Sequence, residues 1–258
     1  MASGTTRRAT CHADLLTAVG GDPFVRYEIP ADLPAPAFVS GSSAVMVRTT
    51  HSGRPGLAAI GDPTEVAGMF ADLSGDDTMA GIHSVTLPRN GFDVIARQLP
   101  LTDRGGEWEW LWTDTRPPAP AAESLLVELD DSSDAEELTA LYARGNPTAE
   151  SEPGTGRTEL WFGIRGPGHA IVAAGALHRT AAGAGHLTGI VVDPAHRGQG
   201  LGAAVTAGLT RAAIERPGPV RGVSTLGMYS DNDSARRLYR RLGYRTAHAF
   251  SSRLIDST

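Results

Sequence analysis

The sequence predicts an α/β protein in which a mixed sheet carries helices on its faces. From residue 125 onward, strand-like and helix-like patterns follow one another in the order β-α-β-β-β-α-β-α-β. Strand-like and helix-like segments also alternate before residue 116. The composition, 41% hydrophobic and 20% charged, is that of an ordinary globular protein.

Charge and composition narrow the function classes. A net charge of -6 gives no overall basic field, so we expect no nucleic acid or anionic membrane as partner. No apolar run approaches the length of about 20 residues that a membrane helix requires. Arg7 and Arg8 are not followed by the apolar region of a signal peptide, so we expect a soluble, cytoplasmic protein. The absence of lysine suggests the coding bias of a GC-rich bacterium.

Cysteine and histidine usage argues against metal chemistry. Cys11 is the only cysteine, which excludes an internal disulfide and a thiolate zinc site. His178 and His186 do not have the spacing of a metal-ligand motif. We therefore expect no metal, and the oligomeric state stays open.

A proline- and alanine-rich segment divides the chain. The stretch "TRPPAPAAES" favours extended backbone and has no periodic pattern. We predict a smaller α/β domain over residues 1–116, a linker over 117–123 and a second domain over 124–258.

The first domain has recognisable strands and helices. Strands are predicted at 42–50, 56–62 and 106–115, and helices at 63–73 and 87–99. Alternation in the last strand places Trp108, Trp110 and Trp112 on one face. That face is interpreted as core or inter-domain packing, with the lining of an acceptor pocket as the alternative.

The second domain is predicted more completely. A strand at 125–131 precedes a helix at 133–145, with Ser133 or Asp134 as its N-cap. The remaining predicted strands are 158–166, 169–180, 185–192, 221–230 and 245–255, and the remaining predicted helices are 200–215 and 233–243.

A glycine-rich turn separates the strand that ends at Val192 from the helix that follows. A Walker A loop requires a lysine, which the chain lacks. The dinucleotide spacing of Gly198, Gly200 and Ala203 has no acidic residue about 20 positions downstream to bind a ribose. Glycines at a helix N-terminus still favour a bound pyrophosphate, because backbone N–H groups and the helix dipole attract the anion. The alternative is a tight turn without a ligand.

Two motifs together resemble the GNAT superfamily of N-acetyltransferases. Arg197, Gly200 and Gly202 fit R-x-x-G-x-G, and "NDSARRLYRRLGY" at 232–244 fits the helix that follows downstream in many members. The resemblance covers about residues 122–258 and implies a GNAT-like fold there. The first domain lacks the glycine signature, and it is interpreted as a degenerate GNAT-like copy.

The resemblance implies acetyl-CoA as co-substrate. The main chain before the glycine turn would pair with the pantetheine arm, and the N–H of Val192 would be a candidate oxyanion donor. The implied contacts with acetyl-CoA are Ile190, Val191, Val192, Arg197, Gly198, Gln199, Gly200, Leu201, Gly202, Ala203 and Asn232.

Proton transfer is the point at which the sequence departs from better-known members. Tyr239 is the candidate general acid for the leaving thiolate, with a half-buried structural tyrosine as the alternative. Two positions where other members carry a glutamate base are here Gly227 and His186. Alternation places His186 on the same face as Thr188, Ile190 and Val192, so an imidazole is the candidate base. A strand-end histidine without a role is the alternative.

These observations predict an enzyme that acetylates a primary amine of a small molecule or of a protein N-terminus by direct attack. Its partners would be acetyl-CoA and this amine acceptor. Two alternatives stay open. One is an acyltransferase that uses a longer acyl-CoA, and the other is an acyl-CoA-binding sensor without turnover, for which the absence of a carboxylate at Gly227 is the main argument.

Overall fold

The computed structural model describes residues 5–50, 53–73, 80–149 and 151–256. Contacts divide the chain into two compact units. The first unit comprises Met1–Trp110, Met228–Asn232 and Thr246–Thr258, and the second comprises Leu111–Gly227 and Asp233–Arg245.

Within the described ranges, the elements up to residue 113 are six strands and four α-helices. In chain order they are β1 (Arg7–Ala9), α1 (His12–Ala18), α2 (Pro23–Glu28), β2 (Ala37–Ser40), β3 (Ser43–Thr49), β4 (Pro55–Ile60), α3 (Pro63–Asp72), β5 (Ser84–Pro88), α4 (Phe92–Ala96) and β6 (Leu101–Thr113). The later elements are β7 (Leu126–Leu129), α5 (Ala135–Gly145), β8 (Leu160–Arg165), β9 (Ile171–Arg179), β10 (Gly185–Val192), α6 (Leu201–Glu215), β11 (Ser224–Tyr229), α7 (Asp233–Arg241) and β12 (Arg245–Ile255).

Both units are built on the same strand order. In the first, β1 to β4 pair antiparallel in sequence, and β5, reached through α3, pairs parallel with β4. In the second, β7 to β10 pair antiparallel in sequence, and β11, reached through α6, pairs parallel with β10. The mixed α/β class predicted from the sequence is therefore confirmed, and the first unit repeats the topology of the second.

Prediction was less complete in the first unit. The helix predicted over 87–99 is wrong at its start, since β5 extends to Pro88 and a 3-10 turn at Arg89–Gly91 precedes the short α4. Strands β1 and β2 and helices α1 and α2 were not predicted, because they are short and carry little periodicity. The predicted helix at 200–215, in the second unit, is confirmed, and so is the predicted strand at 245–255, nearly all of which belongs to the first unit.

The tryptophan strand is a core element in the first unit. Trp110 is 1% exposed, and its ring meets Phe24 edge-on at 5.5 Å between centroids. Trp108 lies 5.1 Å from Phe250, and its indole N–H donates to the Ser252 hydroxyl at 2.8 Å. The packing interpretation of these two side chains is thus confirmed.

Helices cover both faces of the second unit's sheet. On one face, Leu138, Leu141 and Tyr142 of α5 share a core cluster with Trp161 and Val191. Helix α6 lies on the other face, and its close approach to the sheet depends on small residues in the strands beneath it. A Cβ on Gly175 would lie 2.9 Å from the Leu209 side chain, so the strand needs a glycine where the helix crosses it.

The proline-rich segment is attached to α6 by a buried arginine. Arg211, 7% exposed, donates to the Pro117 carbonyl at 3.2 Å and forms an ion pair with Glu123. The guanidinium thus supplies donors to main-chain carbonyls of the proline-rich segment, those of Pro117 and Pro118. The segment therefore lies along the helix as a fixed part of the second unit.

A β-bulge interrupts β10 where it leaves regular pairing. The register moves from Thr188↔Ala176 to Val191↔Ala174, so β10 has one residue more than β9 over this step. Gly189, within the bulge, has a φ of +61°. The Tyr142 hydroxyl donates to its carbonyl at 2.7 Å, which ties the bulge to α5.

Gly189→Ala should destabilise the protein by about 2 to 4 kcal/mol, because a left-handed φ and a steric clash act together. A Cβ there would lie 2.1 Å from the Ser151 hydroxyl and 2.5 Å from that of Tyr142. Gly156→Ala is the matched control, since Gly156 has a φ of +70° in open space and should lose only about 1 kcal/mol. Urea unfolding of both variants measures the difference. Equal losses would show that the clash is absent.

Candidate functional site

The turn between β10 and α6 is shaped by an aspartate and two left-handed glycines. The Asp193 carboxylate accepts from the Ala195 N–H at 3.0 Å, which begins a 3-10 turn at Pro194–His196. This hydrogen bond is the main cause that lowers the pKa of Asp193. Gly198 and Gly200 then adopt φ of +79° and +78°. Among the described residues beyond their chain neighbours, none has an atom within 4 Å of where a Cβ would stand on either. The turn therefore leaves open space in front of the helix.

The N-terminus of α6 is not capped by a side chain. Its N-cap is Gly200, which has none, and the first-turn N–H groups have no acceptor inside the helix. The corresponding end of α3 differs, because the Asp62 carboxylate accepts from Thr64 N and Glu65 N at 2.8 and 3.2 Å. An anion can approach the start of α6, whereas an internal carboxylate already occupies the start of α3.

Neighbouring elements position this turn within the second unit. The Arg197 guanidinium donates to the carbonyl of Gly145, the last residue of α5, at 3.0 Å. A Cβ on Gly202 would lie 3.4 Å from a Val192 methyl and 4.0 Å from a Leu238 methyl. The structure thus brings together the end of β10, the first turn of α6 and α7, as the sequence motifs imply.

Strands β10 and β11 pair over only part of their length. The parallel register runs from Gly185↔Ser224 to Leu187↔Leu226, while β10 continues to Val192. The main chain of 188–192 on the side of β11 is therefore outside the sheet ladder. An extended ligand can pair with such a strand through its peptide groups.

The bulge changes which side chains share a face, and one expectation is wrong. His186 and Thr188 lie opposite His178 and Ala176, so they share the face that α5 covers. Val192 lies opposite Ala173 and contacts Gly202 of α6, on the other face. Ile190 also lies there, since its side chain meets the Cβ position of Gly175 beside α6. His186 therefore does not share a face with Ile190 and Val192, because the extra residue shifts the alternation.

Two hydroxyls converge on the bulge from the α5 face. Burial raises the pKa of the Tyr142 phenol well above its usual range, so it remains a hydrogen-bond donor. Ser151 is 9% exposed, and its buried hydroxyl lies beside the Tyr142 phenol, with which it interacts. Both side chains were missed by sequence reasoning, although a glycine inside a strand is a known signal of a bulge.

His186 has a specific partner on the adjacent strand. Its Nδ1 lies 2.9 Å from the hydroxyl of Thr225, which is fully buried and donates to the Gly185 carbonyl at 3.1 Å. Gly227, two residues further along β11, lies on the same face by alternation and supplies no carboxylate. The candidate base is therefore half-buried and oriented by a hydroxyl.

Tyr239 is a buried phenol on α7. It is 7% exposed, and burial raises its pKa to about 12. Its ring centroid lies 5.8 Å from that of Tyr244, whose hydroxyl contacts Ser224 at 2.6 Å and Thr210 at 2.9 Å. At neutral pH Tyr239 carries its proton, which is the state that a general acid needs.

Asn232 belongs to a different unit from the other predicted cofactor contacts. It is exposed, belongs by contacts to the first unit, and its N–H donates to the Tyr229 carbonyl at 3.1 Å. The other predicted contacts all belong to the second unit. A role for Asn232 in binding stays a prediction.

The described ranges contain neither a cluster of possible metal ligands nor a helix that could span a membrane. Over residues 5–50, 53–73, 80–149 and 151–256, no group of three or more histidine, cysteine, aspartate or glutamate side chains is arranged to hold a metal ion. Among the helices of these same ranges, none is long and apolar enough to cross a membrane. Cys11 is a free, exposed thiol.

The sequence of residues 108–244 matches the family model described as the acetyltransferase (GNAT) family. This chain belongs to the GNAT family. The match includes the glycine turn, the partly unpaired end of β10 and the α7 tyrosine. The family is one of acetyltransferases, which supports acyl transfer as the general activity. No curated protein matches the sequence.

Solved structures with this fold extend over the whole chain. A GCN5-related N-acetyltransferase from Kribbella flavida is 20% identical, with a TM-score of 0.54 and coverage of 96% of this chain and 95% of its own. A putative GNAT acetyltransferase from Novosphingobium aromaticivorans is 22% identical, with a TM-score of 0.51 and coverage of 95% and 96%. A Drosophila protein is 12% identical, with a TM-score of 0.61 and coverage of 99% and 100%. At these identities the likeness establishes the GNAT fold and no substrate.

Alkaline unfolding should report the burial of Tyr239. Unfolded tyrosines ionise near pH 10, whereas folded Tyr239 keeps its proton until about pH 12. The stabilisation from this shift is complete below pH 10 and is lost as the pH rises toward 12. The chain has no lysine, and the two other tyrosines whose pKa burial raises, Tyr142 and Tyr244, are present in both parent and variant.

We therefore expect the free energy of unfolding to fall between pH 10 and 12, and to fall less steeply in Tyr239→Phe. Tyr229→Phe is the control for the loss of an exposed phenol, since Tyr229 is 49% exposed. Urea unfolding at stepped pH measures both slopes. An unchanged slope in Tyr239→Phe would contradict the raised pKa.

Proposed function

We propose that this GNAT protein is an acetyl-CoA-dependent N-acetyltransferase. It would transfer an acetyl group to a primary amine of a small molecule or a protein N-terminus by direct attack. The observation that carries the proposal is the combination of an uncapped α6 N-terminus with an adjoining stretch of β10 that β11 leaves unpaired. A phosphorylated ligand with an extended amide arm matches both features.

The glycine turn would hold the pyrophosphate of CoA. Backbone N–H groups of the turn and of the first helical residues would donate to it, assisted by the dipole of α6. These groups belong to Gly198, Gln199, Gly200, Leu201, Gly202 and Ala203. The pantetheine arm would pair with the main chain of Ile190, Val191 and Val192. The Arg197 side chain would act indirectly, because it already fixes the turn to the end of α5.

The chemistry would use groups from both faces of the sheet. His186 would remove a proton from the ammonium form of the acceptor, and the neutral amine would then form the N–C bond at the thioester carbonyl. The Val192 N–H would stabilise the oxyanion. The C–S bond would break as Tyr239 protonates the thiolate, and the second amine proton would return to the phenolate through solvent. One proton per turnover is released from His186 to water.

The competing function is an acyl-CoA sensor without turnover. The observation in its favour is Gly227, which supplies no carboxylate on the face where His186 lies. CoA release from acetyl-CoA in the presence of a broad set of amines separates the two functions. Tight binding of acetyl-CoA with no amine-dependent release of CoA would select the sensor.

Ala203→Asp should abolish CoA binding, because it places a carboxylate where the pyrophosphate is proposed to lie. The third helical residue is a favourable position for aspartate, so the variant should fold at least as stably as the parent. Ala203→Asn is the uncharged control and should bind CoA within about 5-fold of the parent. Calorimetric titration measures both.

The same titration gives the stoichiometry. One CoA per chain is expected, since Asp62 occupies the equivalent helix end in the first unit. Unchanged affinity in Ala203→Asp would refute the location of the pyrophosphate.

Tyr239→Phe should lower kcat by about 100-fold and leave KM for acetyl-CoA nearly unchanged, since the proton is donated mainly in the transition state. Tyr244→Phe is the matched control, because it removes the phenol of the neighbouring ring without removing the proposed acid. Steady-state kinetics at saturating amine provide the test. A normal kcat for Tyr239→Phe would assign thiolate protonation to another group.

A further inference from the structure

The Thr225 hydroxyl lies within hydrogen-bond distance of two groups, the Gly185 carbonyl and His186 Nδ1. A threonine hydroxyl has one proton to donate and lone pairs to accept. The proton of Thr225 is directed at the Gly185 carbonyl, at 3.1 Å between the oxygens. The contact of 2.9 Å with His186 Nδ1 is then satisfied when Nδ1 carries a hydrogen and donates it. In the neutral imidazole, Nε2 therefore keeps the lone pair.

The sheet itself fixes this arrangement. His186 and Thr225 are direct partners in the parallel register of β10 and β11, and Thr225 is fully buried. A β-branched side chain in a strand has few rotamers, so the hydroxyl has little freedom to turn away. Gly185, which accepts the threonine proton, precedes His186 on the same strand.

We infer that Thr225 is a positioning residue that holds His186 in the Nδ1-protonated form, so that Nε2 accepts the proton of the acceptor amine. This inference rests on the proposed function. In the step, an N–H bond of the ammonium breaks and a new N–H bond forms at Nε2, which gives an imidazolium. Thr225 keeps its own proton throughout, and the imidazolium later releases the Nε2 proton to water.

Among the residues that the structure describes, other titratable groups lie on the elements that adjoin this face. His178 on β9 is the direct cross-strand partner of His186, and its Nε2 lies 3.0 Å from the Thr158 hydroxyl. Tyr142 on α5 has a pKa raised by burial and stays neutral. From β11, Thr225 and Gly227 present no charge to this face. A change in the titration of His186 must therefore be separated from one of His178.

The first experiment is ¹⁵N NMR of histidine-labelled full-length protein above the imidazole pKa, where the two ring nitrogens of each tautomer have distinct shifts. The His186 signals are assigned by their loss in His186→Gln. We expect Nδ1–H in the parent and in Thr225→Ser, and a shift toward Nε2–H in Thr225→Val. An Nε2–H tautomer in the parent would overturn the inference whatever the activity, and this outcome does not depend on how the valine variant folds.

The second experiment is the pH dependence of kcat/KM for the amine. Thr225→Val should lower kcat/KM at least about 10-fold and alter the part of the pH profile assigned to histidine, while KM for acetyl-CoA stays unchanged. Thr225→Ser, which keeps the hydroxyl, should have a kcat/KM close to that of the parent. His178→Gln is the control for the neighbouring histidine and should retain that part of the profile. If the tautomer changes in Thr225→Val but the rate does not, the positioning role is refuted.

The two experiments distinguish this inference from the proposed function. Absence of amine-dependent turnover in the parent protein would refute the acetyltransferase activity and, with it, the catalytic role of His186. The tautomer would still be decided by the spectrum.

Discussion

The bulge at Gly189 is the constraint on which the geometry of the second unit depends. One extra residue in β10 requires a positive φ, and the Tyr142 hydroxyl of α5 holds the carbonyl at that point. After the bulge, Val191 points to α5 and Val192 to α6. Strand β10 therefore places His186 on the face covered by α5 and its contact with the glycine turn on the face covered by α6.

The two units show how one topology differs at a single helix end. In the second, Gly200 leaves the N–H groups of α6 uncapped, whereas in the first the Asp62 carboxylate caps α3 and Pro63 removes one donor. The strand order is unchanged between them. The cap residue therefore decides whether the helix N-terminus can attract an external anion, as in α6, or already binds a carboxylate of the chain, as in α3. This difference agrees with an interpretation of the first unit as a degenerate copy.

Much of the second unit could be predicted, because its elements are long and strongly patterned. The helix at 200–215 and the glycine turn before it follow from local sequence. The strand at 245–255 does too, although nearly all of it belongs to the first unit. The short elements of the first unit could not be predicted. Strand β2 has four residues, all buried, so it shows no alternation between exposed and buried positions. The helix predicted over 87–99 was wrong at its start because β5 pairs with β12, a partner far along the chain.

The sequence by itself determined the family, the position of the candidate anion site and the identity of the candidate acid, since these depend on residue type and spacing along one strand, turn and helix. Only the tertiary structure decided the face on which His186 lies, its contact with Thr225, and the burial that keeps Tyr239 protonated. The reason is physical. A bulge is defined by the register between two strands, and a pKa by what surrounds a group, and both are set by residues distant in sequence.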